Sequence, residues 1–319
     1  MEHLPEVNAE ILTHFFRENR PELAASSIRT YVHAVLRVVK ALGREFQMEE
    51  LDKWLESKSP AQARNTLTPF LMWRRASPMD THYRSLFDKY NASAESAKLG
   101  RTTSKREADN WVTVKAIRGA IRRMGHDSKI LGRQSGANYR LFLAHFIFRV
   151  HDELHLRNDL PTVRIVNAPG EMDEKHKHNY YVRSQKRFYW YHFKTRRSFM
   201  RAKDWPVAHT ISPSLARFIS KYIRQKPESP WLICDPEGHP LSKSAFSAVM
   251  TGASKRYLGV RLGSTMLRRI YLSEFEKTGP SLRQRKAKLR RMLQTKIETQ
   301  LGYVRPDAVE TWEFKNSEA

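Results

Sequence analysis

The sequence predicts a mainly α (α+β) protein: a helical bundle followed by a mixed domain with a small antiparallel three-stranded sheet. Three observations carry this. Apolar residues recur at helical spacing through most of residues 1–90. Between Asn91 and Arg106 the composition shifts to Ala, Ser, Thr, Lys and Gly, ending in GRTTSKRE, which reads as a linker between residues 1–103 and 104–319. Beyond Leu160 the pattern changes to short β-branched and aromatic runs. With 319 residues, 40 % of them hydrophobic, and seven Trp, the chain is long and apolar enough for two packed domains.

The elements follow in order. Val7, Ile11, Leu12, Phe15 and Phe16 form a first stripe, stopped by RPEL at 20–23. Ser26 or Ser27 is the expected cap of a second helix, with Ile28, Val32, Val35 and Val39 on its face and Gly43 at its end. A short helix spans Met48 to Leu55. Ser59-Pro60-Ala61-Gln62 is a capping box with Pro at the first helical position, leading to Leu67, Phe70 and Trp73. A fifth helix is expected near Tyr83 to Tyr90. After the linker, Val114, Ile117 and Ile121 mark a helix closed by Gly125, and Tyr139 to Leu156 is the most apolar helix of the chain. LPTVRIV (160–166) reads as a strand. Tyr180–Val182 and Phe188–Phe193 flank the turn Ser184-Gln185-Lys186 as a hairpin. Ser212-Pro213 starts a capped helix, and DPEGHPLS precedes another from Ser244.

Charge narrows the function. The formal net charge is +24, spread over most of the chain, so a polyanion is the expected partner. No apolar run of about 18 residues marks a membrane span, and no signal peptide is read, so an intracellular location, nucleus or cytoplasm, is expected. The single Cys234 fits a reducing compartment. His and Cys show no metal-ligand spacing, KHKH at 175–178 reads as a solvated loop, and no cofactor is expected. A recognisable RNA-binding module is also missing.

Gly263 to Arg305 organises the rest. Met266, Leu267, Ile270, Tyr271 and Phe275 give a buried helical face that Arg268 interrupts. Arg is rarely buried unless it meets an anion. A second stretch dense in Lys and Arg follows, and then Tyr303. Arg, Lys and Tyr side chains suit phosphodiester chemistry: a planar fork on the nonbridging oxygens, a general acid for the leaving alkoxide and a hydroxyl nucleophile. An interior Arg paired to a carboxylate and an ordinary surface Tyr account for the same residues.

The chain resembles the tyrosine recombinases, most closely the divergent members found in eukaryotic mobile elements and large DNA viruses. The resemblance runs through SSIRTYVHAVLRVV, TSKREADNWV, LRNDLPTVRI, FKTRRS, STMLRRIYLSEF and MLQTKIETQLGYVR. It implies a helical core-binding domain and a catalytic domain that together clamp duplex DNA, and a homotetramer during strand exchange. It makes Arg157 the first phosphate-binding Arg, Lys194 the general acid, Arg268 the second Arg and Tyr303 the nucleophile, at separations of 37, 74 and 35 residues. Gln294 takes the position nine before the nucleophile, where the family usually has His or Trp. Thr265 stands three before Arg268, where His or Lys is usual. Arg269 and His192 are the neighbours that could replace their charge. Arg149 competes with Arg157 for the first position, and Trp312 with Tyr303 for the last. Arg29, Arg64, Arg197, Arg269 and Arg291 are expected on the DNA. The alternative is a catalytically lapsed relative that binds DNA as an architectural or sequence-specific protein.

Overall fold

The computed structural model describes residues 2–74, 79–99, 105–130, 136–201, 205–293 and 304. The chain divides into two compact units, Met1–Arg101 and Thr102–Ala319. Among the described residues it is mainly helical, with 13 α-helices and a small mixed sheet.

The first unit contains β1 (Glu2–His3), α1 (Ala9–Asn19), α2 (Ala25–Leu42), β2 (Glu45–Phe46), α3 (Met48–Glu56), α4 (Pro60–Trp73) and α5 (Asp80–Leu99). Asn8 caps α1 by accepting from the Glu10 and Ile11 amides, both at 2.9 Å. The α2 helix starts earlier than either serine predicts: its N-cap is Ala24, which has no side-chain bond to offer. Ser59 and Gln62 form the expected capping box. Leu12, Phe16, Val35, Leu55, Leu67, Phe70 and Tyr83 fill the core, each almost wholly buried. The expected linker is half helix, because α5 continues through Asn91 to Leu99. Ala, Glu and Lys are strong helix formers, so a polar, Ala-rich run can extend a helix as readily as end it.

The second unit contains α6 (Lys105–Asp109), α7 (Val114–Ile130), α8 (Gly136–Leu154), β3 (Val163–Val166), β4 (Asn179–Val182), β5 (Arg187–Trp190), α9 (Arg196–Arg201) and β6 (Val207–Thr210). Then come α10 (Pro213–Ile223), α11 (Lys243–Leu258), α12 (Ser264–Glu276) and α13 (Leu282–Arg291). Gly125 does not close α7, which runs on through it. A Cβ at that position would lie 2.8 Å from His145 Nε2, so the glycine admits the imidazole of α8.

The sheet also departs from expectation. It has four strands in the order β3-β4-β5-β6, with β3 parallel to β4 and the other two pairs antiparallel. Leu160–Thr162 is a 3₁₀ turn rather than strand. Val207–Thr210, a four-residue strand directly after Pro206, completes the sheet. The hairpin β4–β5 is present, but β5 stops at Trp190. Trp190, Phe188 and Tyr181 join Phe146, Leu215 and Ile233 in one core. The one thiol, Cys234, is buried there beside the Tyr139 hydroxyl, which donates to its carbonyl at 3.0 Å. No described helix is long and apolar enough to cross a membrane.

Candidate active site

Helix α12 presents Leu267, Ile270 and Tyr271 to the core at helical spacing, and this register carries Arg268 inward to 0 % exposure. Its Nη2 donates to the Met292 carbonyl at 3.5 Å. Arg157 arrives from another direction. It follows α8 after His155, whose φ of +54° bends the chain out of the helix. Both guanidinium groups, with Lys243 at the start of α11, lie within electrostatic reach of Asp159. Burial pushes the Asp159 carboxyl upward, and Arg157, Lys243 and Arg268 pull the other way in that order. The structure therefore gathers Arg157 and Arg268 around one carboxylate and adds Lys243, an exposed residue that the sequence reading passed over. Arg149 is occupied elsewhere: it donates to Ser214 Oγ at 3.4 Å and pairs with Asp152 at 3.6 Å.

Two histidines one helical turn apart, His151 and His155, lie within electrostatic reach of Arg268. Burial, reinforced by Arg268, pushes His151 down to about 3, and the imidazole packs at 6.3 Å from the Phe246 ring. His155 lies well below its ordinary range, first from burial and then from Lys288, whose ammonium donates to His155 Nε2 at 3.2 Å. Burial and the Arg291 charge bring Lys288 itself down to about 8. Both histidines are neutral at physiological pH, so the positive charge of this region belongs to Arg and Lys. Nothing in the sequence singled them out except their i, i+4 spacing at the end of the most apolar helix.

Lys194 lies in the connection from β5 to β6, exposed, one residue before Thr195 and two before α9. The start of that connection is held by Asn179, fully buried, whose Oδ1 accepts from the Tyr191 and His192 amides at 2.8 Å each. Its Nδ2 donates to Thr162 Oγ1 and to the His192 carbonyl. His192 itself is spent structurally. Arg196 donates to its Nδ1 at 2.9 Å, so Nε2 carries the proton and meets the His176 carbonyl. His176 stacks 4.2 Å from the Tyr191 ring, so this part of KHKH is packed rather than solvated. Arg269 is likewise committed, by an ion pair to Glu107 on α6. Thr265 is exposed in the first turn of α12.

Gln294, Tyr303 and Trp312 lie outside the described residues. Leu293, just before Gln294, and Val304, just after Tyr303, are described. Met292 and Leu293 are buried, and Val304, covalently next to Tyr303, packs with Leu272 and Met292. Leu272 is one turn beyond Arg268 on α12. Of the expected DNA contacts, Arg29 on α2, Arg197 on α9 and Arg291 on α13 are exposed. Arg64 is paired with Glu95 of α5 at 3.2 Å.

No protein-family model matches the chain, and comparison with curated proteins finds no match. Solved structures do resemble it. A crystal structure of lambda integrase residues 75–356, a dimer bound to a COC′ core site, has a TM-score of 0.54 at 10 % identity, covering 91 % of this chain and 92 % of that one. The fold is the integrase fold. The XerA recombinase crystal structure is similar at a TM-score of 0.44 and 9 % identity, covering 97 % and 98 % of the two chains. A guanidinium as buried as that of Arg268 makes charge-assisted hydrogen bonds that solvent screens little.

Proposed function

We propose that this chain is a site-specific DNA recombinase that cuts and rejoins duplex DNA through a covalent 3′-phosphotyrosyl intermediate. Arg157 and Arg268 grip the nonbridging oxygens of the scissile phosphate. The Tyr303 hydroxyl attacks phosphorus, and Lys194 protonates the 5′-oxygen as its bond to phosphorus breaks. Residues 1–103 and residues 104–319 both bind the duplex, and strand exchange runs in a homotetramer. The observation that carries this reading is the anchor at Val304. Val304, the residue after Tyr303, packs against Leu272 on the helix that bears Arg268, within an integrase fold, and this supports the reading.

The test is a nicked suicide duplex that traps the cleaved strand on the protein. The parent should form an adduct on a denaturing gel. Tyr303→Phe should bind the same duplex as well and form none, since only the nucleophile is removed. An adduct persisting in Tyr303→Phe would sink the assignment. A second reading, a lapsed recombinase that binds DNA, is favoured by Thr265 and Gln294, neither of which titrates near neutrality. On that reading the parent forms no adduct while its affinity still falls steeply with salt, by about 0.9 log units per log unit of salt for each phosphate neutralised.

A further inference from the structure

An α-helix leaves its last four carbonyls without intrahelical partners. At the end of α13 three carbonyls in this region receive side-chain donors from three separate elements. The Arg290 carbonyl accepts from His209 Nε2 on β6 at 3.0 Å. The Met292 carbonyl accepts from Arg268 on α12. The Leu293 carbonyl accepts from the Thr195 hydroxyl in the connection that carries Lys194.

The His209 contact has a fixed sense. An indole N–H can only donate. Trp190 Nε1 meets His209 Nδ1 at 3.1 Å, so the ring proton sits on Nε2 and points at the Arg290 carbonyl. Burial pushes His209 down to about 4, so this tautomer holds across the physiological range. Leu293, with φ at +54°, then turns the chain out of the helix. Just beyond it begins the segment containing Gln294 and Tyr303, and that segment ends at Val304, against Leu272 and Met292.

We propose that Thr195 and His209 are positioning residues: they clasp the chain entering the Tyr303 segment to the strand and connection that present Lys194. The proposal rests on Tyr303 being the nucleophile. The clasp ties Leu293, where the chain leads towards Tyr303, to the connection that bears Lys194, and Arg268 belongs to both the clasp and the proposed phosphate site. A displacement of about 1 Å in such a constellation costs on the order of 10²-fold in rate.

The experiment compares Thr195→Val and His209→Leu with the conservative Thr195→Ser and His209→Gln, which keep a donor. The full-length parent first selects its duplex from a random library, and the cleavage position is mapped on it. That duplex is then remade with a 5′-bridging sulfur, which leaves as thiolate when its bond to phosphorus breaks and takes Lys194 out of the readout. Two nucleophiles are tested: Tyr303, and hydrogen peroxide in a Tyr303→Phe background, whose oxygen attacks the same phosphorus. The Val and Leu variants should slow the Tyr303 adduct by about tenfold or more, leave peroxide cleavage within about twofold, and be rescued by Ser and Gln. Equal losses with both nucleophiles, or no loss with Tyr303, would overturn the proposal. Hydrogen exchange at Met292 and Leu293 reads the clasp without chemistry. It should quicken in the Val and Leu variants, and unchanged exchange counts against the clasp. If the parent itself forms no adduct, the nucleophile assignment fails, and exchange alone judges the clasp.

Discussion

The two units bury different things. In the first, Thr66 is the one buried polar side chain among the described residues, and the core is otherwise aliphatic and aromatic. The second holds the other twelve buried polar or charged residues, including His151, His155, His209, Arg268, Glu276 and Arg285. A helical bundle needs only an apolar interior that packs. A domain that buries arginines needs polar partners for them, and those partners make it sensitive to pH and to single substitutions.

Acid should separate the units most. His145, His151 and His209 are pushed down to about 4, 3 and 4, and His155 well below its ordinary value, all in the second unit. Each group has a folded pKa below its unfolded value near 6.5, so the unfolded chain binds more protons as pH falls. The stability is fully present above pH 6.5 and is lost below it, down to the folded values, at up to about 1.4 kcal/mol per pH unit per histidine. Stepwise acidification followed by tryptophan fluorescence and hydrogen exchange should melt residues 105–293 first. Loss of the first unit at higher pH would erase the contrast.

Next in size is the ion pair between α12 and α13. Arg285 Nη2 and Nε meet Glu276 Oε2 at 2.7 and 2.9 Å, with both residues buried. Glu276→Ala strands a buried guanidinium and should cost about 3–5 kcal/mol by urea unfolding. The double change Glu276→Leu with Arg285→Met should recover most of it. Failure of that recovery would show that the charges themselves, rather than their pairing, hold α13.

The smallest effect tests a glycine. Within a helix, Gly→Ala normally stabilises by up to about 1 kcal/mol. At Gly125 the new Cβ would press on His145, so Gly125→Ala should instead destabilise, by about 1–3 kcal/mol. In a His145→Ala background the same change should turn stabilising. Thermal melts of the four proteins give the sign.

Much of the architecture was legible because side chains announced it. The Ser59 capping box, the Ser212-Pro213 helix start and the α12 stripe all carry residue types that act locally. Arg268 was legible as an interruption of an apolar face. The parallel pairing of β3 and β4 was not, since strand direction leaves no mark on periodicity, and β6 is only four residues long. The helical half of the linker hid behind a composition that serves coil and helix alike. Least legible was the support of the site. Backbone carbonyls at Arg290, Met292 and Leu293 have no signature in sequence, and Thr195 and His209 gain meaning only from what they touch.

The lone cysteine has a practical consequence. Cys234 is wholly enclosed in the larger core, and the chain has no other thiol. A thiol reagent therefore reacts at a rate set by how often that core opens, multiplied by the reactivity of a free thiolate. The protein carries its own clock for breathing of residues 105–293, silent towards the rest. A reporter cysteine placed at Arg29 would label at once, and the ratio of the two rates would gauge how tightly the buried polar interior stays shut.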